Sequence, residues 1–375
     1  MRDVFLLDAV RTPVGRGKPD GALHSIHPVH LLATALSALV DRAGVEKAQV
    51  EDVIAGCVSP IGEQGTNIAR LAALQAGFPI SVPGVQLNRF CGSGQQAVHF
   101  AAQAIAGGDM DLIIAGGVES MSRVPIGSDG NITPEFRATF PYDIVHQGQS
   151  AEMLAERWGL TRRELDEYAA MSHCRAAAAM REGWSAKEIV PVNGCAADEG
   201  VRPNPNLEKM AQLPPAFRPG GSVTAANSSQ ISDGAAALLL ASESKARQLG
   251  LKPRARILTR VAVGTDPVLM LTGPIDATQA ALRKGGLNVA DIDAFEINEA
   301  FASVVLAWAR ELRPDMARVN IQGGAIAHGH PLGATGAVLM TKLLHILERT
   351  GGRYGLQAMC IGFGMGTATI VERLD

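Results

Sequence analysis

Two of the five cysteines in this 375-residue chain stand immediately before glycine-rich turns: Cys91 in "NRFCGSG" and Cys360, which opens "CIGFGMG". Thiols so placed can act as a nucleophile or as an acid–base group, because the thiolate is the reactive form and nearby N–H groups stabilise it. Cys91 follows the apolar run "GVQL" and precedes a helical pattern. It is therefore expected at a helix N-terminus, where free N–H groups and a partial positive charge favour a thiolate. Gly92 and Gly94 would permit a tight turn and close approach by a ligand, an arrangement like a nucleophile elbow built with cysteine. The competing reading is a small buried turn residue, since free cysteine is among the most buried types.

A second group of candidates lies in "GGAIAHGHPLGATG", where His330 stands between Gly329 and Pro331. A histidine there could take a thiol proton near neutral pH. His328, two residues earlier, allows an H-x-H metal pair, but no Cys or acidic ligand accompanies it at zinc-like spacing. In "EINEAFA", Asn298 falls where an apolar strand becomes a helix. It can be a polar site residue or an ordinary helix cap.

The elements that must position these residues occur twice. "DVFLLDAVRTPVG", "VHLLATALSALVDRAG", "VEDVIAGCV", "GVQLNRFCGSGQQAVHFAAQAIAGG" and "MDLIIAGGVESMS" alternate between buried strands and amphipathic helices. "RARILTRVAVG", "PIDATQAALRKGG", "IDAFEINEAFASVVLAWAREL", the His330 segment and "YGLQAMCIGFGMGTATIVERL" repeat the order, at an offset of roughly 240 residues. That repeat predicts two similar α/β domains packed together. Between them a segment richer in charge, Pro, Gly and Asn includes the helical stretch "SAEMLAERWGLTRRELDEYAAMSHCRAAAAMREG". A long insertion between compact halves suits a lid or binding platform.

Composition narrows the class. With 47% hydrophobic residues, 41 glycines and a net charge of −3, the chain fits a compact α/β protein and shows no nucleic-acid footprint. A few local Arg or Lys could still hold a coenzyme phosphate. The odd, scattered cysteines argue against a disulfide framework and for a reducing compartment. No signal peptide, bilayer-spanning run or peroxisomal tripeptide is present in the sequence, so a cytoplasmic, non-membrane protein is expected.

Jointly, "NRFCGSG", "AGGVESMS", "GSVTAANSSQISDGAAA", "NEAFA", "GGAIAHGHPLGATG" and "CIGFGMG" resemble the thiolase family over almost the whole chain. The resemblance implies a thiolase fold: two βαβαβαββ halves in five αβαβα layers with an inserted loop domain. The boundaries it suggests are 1–119 continued at 230–252, 120–229 for the insertion that binds CoA, and 253–375. It implies thiolytic cleavage of a 3-ketoacyl-CoA to acetyl-CoA and a shortened acyl-CoA, or the reverse condensation, by a homodimer or homotetramer. CoA is then a substrate, with no tightly bound cofactor and no metal. Cys91 would carry the acyl group and His330 would activate it. Cys360 would serve as acid/base at the substrate α-carbon. Asn298 would hold a water in one oxyanion hole, while the Cys91 and Gly362 N–H groups form the other. Ser229 would bond the pantetheine arm and Arg202 would stack near adenine.

Three residues depart from the family pattern. Phe363 stands where glycine is usual, and is strained if that position needs positive φ; its ring is expected to pack into the core. His328 replaces an apolar residue. Gln147 replaces the methionine common in short-chain acetoacetyl enzymes, which points to a different acyl pocket. Two alternatives remain: a decarboxylating condensing enzyme of the ketoacyl-synthase kind, and a non-catalytic acyl-CoA or lipid-binding relative. The second glycine-flanked cysteine speaks against the first, and the full catalytic set against the second.

Overall fold

The computed structural model describes residues 2–130 and 132–374. The first half runs β1 (Val4–Arg11), β2 (Gly15–Arg16), α1 (Pro28–Ala43), β3 (Asp52–Gly56), α2 (Ile68–Gln75), β4 (Gly84–Leu87), α3 (Ser93–Gly107) and β5 (Leu112–Ser120). Next come α4 (Pro134–Thr139), α5 (Gln147–Arg157), α6 (Arg162–Arg181) and α7 (Leu207–Ala211), then β6 (Ser232–Ser242) and α8 (Glu243–Leu249). The second half contains β7 (Ala255–Gly264), α9 (Gly273–Gly285), β8 (Ala294–Ile297), α10 (Ala302–Leu312) and α11 (Ala325–His328). It closes with α12 (Leu332–Thr350), β9 (Tyr354–Ile361) and β10 (Met365–Arg373).

The repeat is present strand by strand. In the first half β3 is parallel to β5, β5 antiparallel to β6, and β6 antiparallel to β1. In the second, β8 is parallel to β9, β9 antiparallel to β10, and β10 antiparallel to β7. β4 lies parallel beside β3, and its counterpart is reduced to the single parallel bridge Phe295–Val319. Pairing of Phe5 and Leu6 with Arg256 and Ala255 joins the two halves into one ten-stranded sheet. The halves differ most after their equivalent strands β5 and β9. Ile361 is separated from Met365 by a short turn, whereas Ser120 is separated from Ser232 by the four helices α4 to α7.

Packing follows from which helices can afford a water-facing side. α1 and α2 cover the outer face of the first half, and α9 and α10 that of the second. α3 and α12 lie between the halves and are buried nearly all round, as a helix covered on every side must be. The result is five αβαβα layers. The inserted helices α5 and α6 rest on α10, so a segment from the first half packs onto the second. The long helical stretch is two helices rather than one. Gly159 takes φ 56° after α5, and Thr161 with Glu164 forms a capping box that starts α6.

α3 and α12 approach so closely that backbone meets backbone. A β-carbon on Gly336 would lie 2.2 Å from the Gln95 amide nitrogen, and one on Gly94 would lie 2.8 Å from the Gly333 carbonyl oxygen. The glycines after Cys91 therefore serve helix packing. The close approach at Gly94 is by α12, and at Gly92 by the Ile361 side chain, not by a ligand.

Gly336→Ala sets two effects against each other. Helix propensity gains up to about 1 kcal/mol, while forcing the helices apart costs about 1–3 kcal/mol. The clash involves rigid backbone, so the denaturant midpoint is expected to fall; an equal or higher midpoint would contradict the packing argument.

Candidate active site

The turn before α3 is braced by its own side chains. Ser93 Oγ donates to the Phe90 carbonyl at 2.6 Å and accepts from the Arg89 N–H at 2.8 Å, and Asn88 Oδ1 accepts from the Phe90 N–H at 2.7 Å. The left-handed residue of this turn is Phe90, at φ 45°, directly before the cysteine. Cys91 is buried with Val58, Leu332, Met359 and Ile361. Burial, and then the neighbouring Cys360, push its thiol up, against hydrogen bonds from the Cys91 and Gly362 N–H groups. The expected helix-terminus activation is thus outweighed. The dipole contributes at most about 2 kcal/mol, whereas desolvating an ion costs several.

Cys360 ends its side of the site in β9. Burial pushes its thiol up to about 11, opposed by the Asn298 amide. Asn298 Nδ2 lies 3.6 Å from Cys360 Sγ and 3.5 Å from His330 Nε2. Asn298 is no helix cap: α10 starts after Phe301 and has no side-chain cap. The Ala300 N–H also acts to lower the Cys360 thiol.

His330 is buried, and burial holds it down to about 4. Its Nδ1 is 2.7 Å from Thr335 Oγ1, which lies 2.9 Å from the Pro331 carbonyl oxygen. A carbonyl only accepts, so the single threonine proton goes to Pro331 and the hydroxyl accepts from Nδ1–H. The lone pair is thereby left on Nε2, facing Asn298. Thr335 escaped the sequence reading; a hydroxyl in the turn after His330 was its only signal. The group rests as neutral thiols and a neutral imidazole with a directed lone pair.

Ser229 and Arg202 line one cavity of about 820 Å³, with Arg16, Lys18 and Phe217. Its wall is tied to the thiol site, because the Ser229 N–H donates to the Ala300 carbonyl at 2.9 Å. Gln147 and Phe90 sit against Gly362, where an added β-carbon would lie 3.1 Å from Gln147 Nε2 and 3.7 Å from the Phe90 ring. Phe363 has the positive φ that makes it unusual, 58°. Its ring is not core: it is 37% exposed and meets the Phe90 ring at 5.6 Å.

Buried acids hold these loops. Glu119 accepts from the Val58 and Gly333 N–H groups at 2.8 Å each and from Gln64 Nε2 at 2.8 Å, linking β5 to the start of α12. Glu299 accepts from Tyr168 and Ser172 of α6 at 2.8 and 2.7 Å and from the Ile326 N–H at 3.1 Å. Asp198 binds Arg11 through both oxygens, at 2.7 and 2.9 Å, and lies 2.7 Å from His328 Nδ1. Burial works to raise the Asp198 carboxyl, but Arg11 and His328 hold it well below the usual range. His328 Nε2 lies 2.8 Å from the Gln322 carbonyl oxygen, so both its ring nitrogens are engaged by protein groups. Among the described residues no group of three His, Cys, Asp or Glu could hold a metal ion.

Comparison with known proteins matches this chain to one family. The family model described as "Thiolase, N-terminal domain" matches residues 4–244, and "Thiolase, C-terminal domain" matches residues 251–373. The chain is 52% identical to the steroid 3-ketoacyl-CoA thiolase FadA6 of Mycobacterium tuberculosis, covering 100% of this chain and 95% of the relative. It is 46% identical to a 3-ketoacyl-CoA thiolase of Yersinia pestis, covering 100% of both. The solved structure of a Bacillus anthracis acetyl-CoA acetyltransferase superposes with a TM-score of 0.92 at 39% identity, covering 100% of this chain and 99% of that one.

The tautomer of His330 is directly observable. In histidine-labelled protein its ring nitrogens should report a neutral Nδ1–H form that persists as pH falls from 7 towards 5, because the folded group titrates near 4. Thr335→Val should disturb that form. A midpoint near 6.5, or an Nε2–H form, would contradict the hydrogen-bond assignment.

Proposed function

The chain belongs to the thiolase family, and from that premise we propose how its two buried thiols divide one reaction. It is an acyltransferase of that family, and its relatives support thiolytic cleavage of a 3-ketoacyl-CoA or the reverse Claisen condensation. The observation that carries the reading is one shared polar environment. Asn298 Nδ2 lies 3.6 Å from Cys360 Sγ and 3.5 Å from His330 Nε2, and the Gly362 N–H acts to lower the Cys91 thiol.

In cleavage, His330 Nε2 takes the Cys91 thiol proton as sulfur attacks the 3-keto carbon. The C2–C3 bond breaks, its electron pair forms the acetyl-CoA enolate, and the Cys360 thiol protonates C2. CoA then attacks the acyl-Cys91 thioester and gives its proton to the Cys360 thiolate. His330 returns its proton to the departing Cys91 sulfur, which closes a ping-pong cycle. Two oxyanions arise at different carbonyls. The Cys91 and Gly362 N–H groups serve the acyl carbonyl; Asn298, through a water, and His330 serve the acetyl-CoA enolate.

Further parts of the reading concern partners and place. CoA is a substrate in the cavity of Ser229 and Arg202, where Arg16 and Lys18 add positive charge suited to phosphates. The insertion 120–229 forms that platform between 1–119, continued at 230–252, and 253–375, and no step needs a metal. A homodimer or homotetramer is supported by β4, which ends the sheet with Val85 exposed and packs against α2, where Leu71 and Leu74 are exposed. The five free cysteines support a cytoplasmic setting, and no helix of the described residues is long and apolar enough to cross a membrane. The steroid 3-ketoacyl-CoA thiolase among the relatives supports an acyl group larger than acetoacetyl.

Loss of the acetoacetyl-CoA enolate absorbance tests the activity. It should require free CoA, and Asn298→Ala should slow it about 100–1,000-fold. Loss without CoA, or an unchanged rate in the variant, would contradict the mechanism.

A further inference from the structure

Phe363 is an anomaly on two counts. A bulky residue occupies the left-handed region at φ 58°, and its ring remains part-exposed instead of packing into the core. Strain of this kind persists only where something else fixes it, and it concentrates at ligand-facing positions. The ring's aromatic neighbour is Phe90, whose φ is also positive, 45°, with the centroids 5.6 Å apart and the planes inclined by 40°.

The position of this pair in the chain matters. Phe90 directly precedes Cys91 and packs against the apolar cluster that holds it, while Phe363 directly follows Gly362, whose position lies beside the Phe90 ring. Because Phe90 packs beside Cys91 and Phe363 meets Phe90, the two rings border the space next to that sulfur. Gln147 closes the same wall against Gly362, and its side-chain amide has no hydrogen-bond partner among the described residues. An acetyl group, with one methyl, is too short to cover two rings. A flexible chain would lose rotational freedom on being held there, whereas a rigid ring system brings a preformed apolar face.

Resting on the thiolase reading above, we propose that Phe90 and Phe363 form a specificity clamp at the acyl side of Cys91, selecting 3-ketoacyl-CoA substrates whose acyl group carries an alicyclic ring. The pair sets the choice among substrates and takes no part in bond making.

The test is the ratio of kcat/KM for a cyclohexyl-bearing 3-ketoacyl-CoA to that for acetoacetyl-CoA, in wild type, Phe363→Gly and Phe363→Leu. Glycine adopts φ 58° without strain, so the first variant is expected to fold with an undiminished melting temperature. Removing the ring should lower the ratio at least about ten-fold, and leucine should restore part of it. A linear six-carbon 3-ketoacyl-CoA should lose less than the cyclohexyl substrate. An unchanged ratio, or an equal loss on the linear substrate, would overturn the clamp while leaving the activity standing. A wild type that cleaves none of the three would overturn the thiolase reading itself, and the clamp with it.

Discussion

The site depends on how closely two helix N-termini can approach. α3 starts beside Cys91 and α12 beside His330, and the two cross where Gly94 and Gly336 leave no side chain between the backbones. A single methyl group at either position would meet rigid main-chain atoms, and the cysteine turn and the histidine turn would move apart. The repeated βαβαβαββ plan makes this possible. Each half delivers one equivalent turn, and burial of both helices between the halves fixes their separation at the precision of core packing. The geometry of the candidate site is a consequence of backbone contact between layers, set before any polar interaction is counted.

Polar groups then hold the loops that this contact leaves irregular. Glu119 ties the end of β5 to the first turn of α12, and Glu299 ties the inserted α6 to the loop before α11. Both carboxylates are fully buried and multiply bonded, so losing any one partner exposes an unsatisfied group in a dry interior. The same dryness sets the resting chemistry. Burial favours the neutral thiol at Cys91 and the neutral imidazole at His330.

Much of this was legible in the sequence because the informative residues are improbable in their settings. Cys91, His330 and Cys360 each interrupt a glycine-rich turn, and the structure brings Asn298 to two of them. Most strands of both halves followed from apolar periodicity, but β6, between β5 and β1 in the sheet, was not among them. What stayed hidden depends on tertiary partners. Gly92 and Gly94 suggested access for a ligand, but α12 and Ile361 occupy that space. Helix-terminus activation of Cys91 was reasonable locally, but its cover comes from Leu332, Met359 and Ile361, far along the chain. His328 found its partner in Asp198, which also binds Arg11 across 187 residues. The Phe363 ring, expected in the core, is part-exposed because the left-handed loop turns it toward Phe90.

On the proposed mechanism the two thiols hold separate offices, acyl carrier at Cys91 and proton carrier at Cys360. Proton–deuterium exchange of the acetyl methyl group of acetyl-CoA in D₂O, followed by NMR and paired with peptide mass spectrometry, tests it most directly. Cys360→Ala should abolish exchange yet still accumulate acetyl on Cys91, more slowly than wild type because no thiol protonates the departing CoA. Exchange that survives in Cys360→Ala, or acetyl found on Cys360 in the wild type, would contradict it.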